Sequence, residues 1–304
     1  MLGLAALIVV ATIVPQAASV AVNVDEVDLN CTLKNHSALS RFQFETFYSW
    51  HTAVGNWTNV GQASDWQELV TYYNLTGRGS IFELYTVFWE SMKVKHPHLQ
   101  GLTIRSDWRA RWNHTANLIS KFVEQGVIIG FMLGDELVWN NITWDQLNET
   151  SALVKATFPN CFVFYNEGGA PLYGDHNVNH YKIHYPFVPF AVDYVSTDDY
   201  DSMYIHKNAR WFYESFLYPK IKFAHQRAWV VPPVYAKYPS NITESDDYAY
   251  LEAIAYFDWI DHDDRLHGLD GFYLNGPHSL LTLPKTLKCY QTLAAQMIAH
   301  EGKR

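Results

Sequence analysis

Carboxylates recur at the ends of three apolar runs in this chain, and that recurrence is its most informative chemical feature. The run from Val127 to Asn140, VIIGFMLGDELVWN, closes on Asp135 and Glu136; CFVFYNEG closes on Asn166 and Glu167; and VDYVSTDDYD closes on Asp198 and Asp199. A lone acid at a strand exit is often only a turn cap. Acids gathered at successive strand ends are instead how barrel enzymes assemble an acid/base site. Neighbouring side chains on a strand face opposite ways, so Asp135 and Glu136 are not expected to aim at one point. Glu136 is the expected proton donor, with Asp135 bonding backbone amides or a nearby Arg. Glu167 and Asp198 are the candidate second carboxylates, and Asn166 and Asp199 suit hydroxyl binding. Gly168 and Gly169 would let backbone approach a ligand closely.

Aromatic residues fall at the same ends. Trp89, Trp139, Tyr165, Tyr200, Tyr235 and Tyr273 lie at or just past strand termini, and aromatic faces stack on the C–H faces of sugars. Asn275 and His278, after the last predicted strand, are further substrate contacts. Carboxylates, amides and aromatics together suit a carbohydrate cleft. His176, His180 and His184 are spaced by four, but Gly174, Asn177, Asn179 and Pro186 around them argue for a loop rather than a metal-binding helix. The Asp198, Asp199 and Asp201 group lacks calcium-loop spacing. Hence neither metal nor cofactor is expected. No Gly-x-Ser-x-Gly elbow and no reactive-cysteine motif occurs.

Positioning such residues calls for regular alternation of strand and helix. Candidate strands are 42–50, 80–90, 127–134, 161–166, 192–197, 228–235 and 269–276. Candidate helices are 65–75 capped by Ser64, 106–125 capped by Ser106 and closed by Gly126, 143–157 capped by Thr143, 207–226, 245–265 and 284–300. Alternation implies a parallel sheet with right-handed crossovers. The expected fold class is α/β, a single-domain (β/α)8 TIM-type barrel over residues 41–304. Seven strands are visible. Numbering backward from a final strand eight makes VIIGFMLGDE strand four and AWVVPPVY strand seven. A doubly wound open sheet competes, but no Gly-x-Gly-x-x-Gly or Walker sequence supports a nucleotide site.

Leu2 to Val14 is an apolar run followed by Pro15 and the small residues Ala17, Ala18, Ser19 and Ala21, so residues 1–21 read as a signal peptide. It is short for a membrane span, and none is expected after its removal. Residues 22–40 read as a surface arm. Eight Asn-x-Ser/Thr sequons, at Asn30, Asn35, Asn56, Asn74, Asn113, Asn141, Asn148 and Asn241, predict N-linked glycans. The compartment is then extracellular or otherwise within the secretory pathway, lysosomes included. Of Cys31, Cys161 and Cys289, the first and last are expected to pair and tie the amino-terminal segment to the last helix. Net charge is −9 with only 22 Lys and Arg, which disfavours nucleic acid as a partner.

At GDEL, YNE and STDDY the chain resembles glycoside-hydrolase-like (β/α)8 barrels, over residues 40 to 300. The resemblance implies a glycosidase acting on a carbohydrate substrate, with a strand-four acid protonating the glycosidic oxygen. One departure stands out: the large retaining clan of this layout carries a nucleophilic Glu at the end of strand seven, where this chain reads VVPPVYAK. The second carboxylate must then be Glu167 or Asp198, or the barrel is a non-catalytic carbohydrate-binding or interaction glycoprotein. Acids consumed by Arg105, Arg109 or Arg227 would favour the binder.

Overall fold

The computed structural model describes residues 31–41, 43–46, 58–92, 101–173, 184–197, 205–233, 240–271 and 279–301. Eight strands form one parallel sheet: β1 Gln43–Thr46, β2 Gly61–Ala63, β3 Ser80–Glu83, β4 Ile128–Asp135, β5 Phe162–Glu167, β6 Tyr194–Thr197, β7 Arg227–Val230 and β8 Leu266–Gly271. Their spatial order is β1-β8-β7-β6-β5-β4-β3-β2. The sheet curls until its edge strands β1 and β2 approach each other. This is the α/β barrel expected, with the backward strand numbering intact.

Several local expectations change. The unseen strand is β2, only three residues long; its Gly61 lies under the Tyr72 ring, where a Cβ would sit 2.6 Å from the ring carbon. The stretch 80–90 is not one strand. It leaves the sheet after Glu83, makes a helical turn at Tyr85–Phe88, and re-forms as Trp89–Ser91 in an antiparallel pair with Leu102–Ile104. Burial of Val87, Phe88 and Trp89 gives this turn the apolar content of a strand. Asp65, not Ser64, caps helix Trp66–Thr76 by accepting from the Gln67 and Glu68 amides. Helix Trp108–Glu124 follows Asp107 with no side-chain cap, whereas Thr143 forms a full capping box with Gln146 for helix Trp144–Thr157. The helix expected at 207–226 runs Ile205–Phe212, then widens to a π turn at Tyr213–Leu217. That turn inserts the Tyr213 hydroxyl between β6 and β7, where its one hydrogen faces Trp229 O at 2.6 Å, with Thr197 O at 2.9 Å beside it, and its oxygen accepts from the Thr197 N–H at 3.2 Å. Register between β6 and β7 runs only through Val195 and Ala228, so the hydroxyl supplies polar partners where the two strands splay.

Inside the barrel Ile81, Met132, Phe164 and Trp229 pack together. Two glycines admit the largest rings: a Cβ on Gly130 would lie 2.3 Å from Phe162, and one on Gly268 2.3 Å from Trp229. The interior is therefore solid, and chemistry is left to the carboxyl-terminal rim. Cys31 and Cys289 form a disulfide, as expected, and Cys161 is a buried free thiol. The described part of the arm is held down by Leu33 bonded to Gln296 and by the Lys34 and Asn35 amides donating to Asp261. Among the described residues no helix is long and apolar enough to cross a membrane.

Candidate active site

The exit of β4 breaks the two-residue period of a regular strand. Met132 pairs with Phe164 but Asp135 pairs with Asn166, so three steps on β4 match two on β5. This is a β-bulge, and it brings Asp135 onto the inward face shared by Met132 and Asn166. Gly134 makes it possible. Its φ is 152°, and an added Cβ would fall 2.7 Å from Leu137 Cδ2. Asp135 and Glu136 therefore leave the strand differently: Asp135 stands in the barrel mouth, and Glu136 begins the loop.

Asp135 is oriented by a chain of bonds from two further strands. Ser196 Oγ on β6 donates to Asn166 Oδ1 at 2.7 Å, which leaves Asn166 Nδ2 to donate to Asp135 Oδ1 at 2.8 Å. Both Ser196 and Asn166 are buried.

Glu136 is half-buried and has φ 48°, a left-handed conformation that costs a non-glycine residue free energy. The surroundings fix it there. Its N–H donates to Asn166 O at 2.9 Å, and its carbonyl accepts from the Asn140 N–H at 2.8 Å and Asn140 Nδ2 at 2.9 Å.

Glu167 points away from the mouth and is fully buried. Its Oε2 accepts from the Val138 amide at 3.1 Å, and its Oε1 from Trp139 at 3.1 Å and Gly168 at 3.0 Å. The side chain thus clamps the loop that follows Glu136. Burial pushes its carboxyl up to about 8, with the charge of Glu136 adding to the rise and the three amides opposing it.

One acid was not foreseen. Glu83, the last residue of β3, accepts from Gln62 Nε2 of β2 at 2.6 Å. Burial raises its carboxyl above the usual range; the Gln62 bond opposes this, and the charges of Glu68 and Asp135 add to it. Glu83 was hidden because 80–90 read as one strand, and Gln62 because β2 did not read as a strand at all. Ser196 sits inside a recognised strand, two residues before the acid that drew attention.

The expected aromatic platforms divide. Trp139 is half-buried beside the rim, against Gly168, whose absent Cβ would lie 3.0 Å from the ring. Trp89 and Tyr165 are not brought to the mouth. Both are fully buried, Trp89 with Nε1 donating to Leu133 O at 2.8 Å and Tyr165 with its hydroxyl bonded to that of Tyr185. Tyr165 follows Phe164 and precedes Asn166, both inward, so alternation turns it to the outer layer. Asp198, Asp199, Tyr200, Tyr235, Tyr273, Asn275 and His278 lie outside the described residues, as do Asp201, His176, His180, the leader, Asn30 and Asn56. The three arginines named above are engaged elsewhere: Arg105 with Glu90 at 3.2 Å, Arg109 with Glu149, and Arg227 with the carbonyls of Ala224 and Gln226.

No family model and no curated protein matches the chain. Solved structures do. An intracellular xylanase from Thermoanaerobacterium saccharolyticum superposes with TM-score 0.51 at 11% identity, covering 81% of this chain and 89% of that one. Mutants of the same enzyme give 0.52 at 10% identity over 81% and 92% of the two chains in a xylotriose complex, and 0.51 at 10% over 84% and 94% in a xylotetraose complex. These likenesses show the fold, a (β/α)8 barrel.

Proposed function

We propose that the chain is a secreted glycoside hydrolase whose reacting carboxyls are Glu136 and Asp135. The observation that carries this reading is the exit of β4. A bulge turns Asp135 into the mouth, Asn166 and Ser196 orient it, and Glu136 is held in an unfavourable backbone conformation by bonds from Asn166 and Asn140. Strain that its surroundings over-determine is a mark of functional sites. Glu136 is the proton donor to the glycosidic oxygen. Asp135 is the carboxyl that stabilises positive charge developing on the sugar ring or activates water. Glu167 acts through the loop as a positioning residue, and Asp198 and Asp199, which follow β6 in the sequence, remain candidate partners. Trp139 is the stacking surface at the rim. Engagement of Arg105, Arg109 and Arg227 away from these acids supports an enzyme over a binding barrel.

The xylotriose and xylotetraose complexes of the structural neighbour make short neutral oligosaccharides the first substrates to try. Wild type and Asp135→Asn should be compared by release of reducing ends from such oligomers and from a panel of polysaccharides. Turnover by wild type and its loss in the folded variant support the reading; activity unchanged in Asp135→Asn removes Asp135 from the reaction. For the compartment, Asn35, Asn74, Asn113 and Asn241 are exposed, and Asn141 and Asn148 half-buried. Secreted material should lack the first 19 to 21 residues and shift to lower mass on enzymatic removal of N-glycans. Intact Met1 on the secreted protein would overturn the signal-peptide assignment.

A further inference from the structure

Beside the reacting pair, the amide of Gln62 poses a separate chemical question. Its side chain is 7% exposed and lies on the inward face of β2, in register with Ile81. Only the amide nitrogen can face a carboxylate, and Nε2 donates to Glu83 Oε1 at 2.6 Å with Met132 Sδ at 3.3 Å. Oε1 is thereby turned elsewhere and has no hydrogen-bond partner among the described residues. A buried acceptor without a donor is uncommon in native proteins and asks for one from outside the chain. Glu83 retains acceptor capacity as well, and Asp135 lies on the adjoining strand. The charges that act on Glu83 are Glu68 and Asp135, both negative.

We infer that Gln62 and Glu83 form a sugar subsite made of hydrogen-bond acceptors, which takes the hydroxyls of a neutral glycan and rejects uronic-acid sugars. The inference rests on the glycosidase reading and specifies the substrate class of that site. A neutral sugar offers hydroxyl donors to Gln62 Oε1 and to the Glu83 carboxylate. A uronate brings a third or fourth negative charge into a poorly solvated mouth and supplies no donor in its place.

The test measures reducing-end release at pH 7 from xylan and a mixed-linkage β-glucan, as neutral polymers, against polygalacturonate and hyaluronan. Wild type should cut a neutral polymer at least about tenfold faster than either uronic polymer. Gln62→Leu should raise KM for the neutral substrate about tenfold with little change in kcat, since a hydrogen bond to the bound sugar is lost. Glu83→Gln keeps the shape and removes the charge, and should narrow the neutral-to-uronic ratio by about tenfold. Near-UV circular dichroism confirms folding, and Gln62→Asn, shorter by one methylene, replaces Gln62→Leu should that variant misfold. Uronic polymers cut as fast as neutral ones, or a ratio unmoved by Glu83→Gln, overturns the subsite while leaving the glycosidase reading intact. A wild-type chain that cuts none of the polymers overturns the glycosidase reading and the subsite with it.

Discussion

Replacing Glu167 by Gln tests the electrostatics of the clamp behind the site. The carboxyl is fully buried and its pKa stands at about 8 against an ordinary 4.5. Between those two values the folded state holds a proton that the unfolded chain has released. More protons bound in the native state means that unfolding free energy falls as pH rises. Carried across the whole interval, the effect is on the order of 5 kcal/mol, with the three opposing amide bonds already included in it. Gln cannot ionise, but its NH2 group would meet one of the Val138, Trp139 or Gly168 N–H donors, a cost of about 1–3 kcal/mol at every pH. Wild type should therefore be the more stable protein at pH 5, and its advantage should shrink or reverse by pH 8. Urea midpoints of both proteins, followed by tryptophan fluorescence at pH 5 and pH 8, isolate the group because all other titrations are shared. An advantage of wild type that grows toward pH 8 would refute the reasoning. It would mean that the amides outweigh burial and hold an ionised carboxylate.

Gly134→Ala should lose about 2 kcal/mol and at least tenfold in turnover, since φ 152° and Leu137 both oppose a Cβ and a straightened strand withdraws Asp135 from Asn166; urea midpoints and initial rates check the two effects separately. Trp89→Phe should cost about 1–3 kcal/mol by leaving the buried Leu133 carbonyl without its donor, with KM unchanged; a raised KM would return Trp89 to the substrate. Removing the disulfide by Cys31→Ser with Cys289→Ser opens a link across a separation of 258 residues and should lower stability by about 2–5 kcal/mol. Calorimetry measures that loss, and activity at low temperature should stay unchanged.

Much of this architecture is written in local pattern. β4 and β5 are buried runs that stop on polar residues, and both are legible along with their acids and the pairing of Cys31 with Cys289. β2 is not, because Gly-Gln-Ala has no strand preference and pairs only for tertiary reasons: Tyr72 covers Gly61 and β3 offers the ladder. With β2 unseen, Gln62 was unplaced. The extent of β3 was lost for the opposite reason, since residues 84–89 are apolar enough to continue a strand although they turn into the outer layer. The bulge is the deeper failure. Strict alternation assigns Asp135 and Glu136 to opposite faces, and only Gly134, whose φ no sequence displays, lets the register slip. Alternation does hold on β5, and applied there it turns Tyr165 outward once Asn166 is placed inward.

The most direct test of the account is the turnover of Glu136→Gln on a glycan that wild type cleaves. Loss of the proton donor should lower kcat by about 100-fold or more in a variant whose near-UV circular dichroism shows the wild-type fold. A folded Glu136→Gln variant with full activity would contradict the account and remove Glu136 from the chemistry.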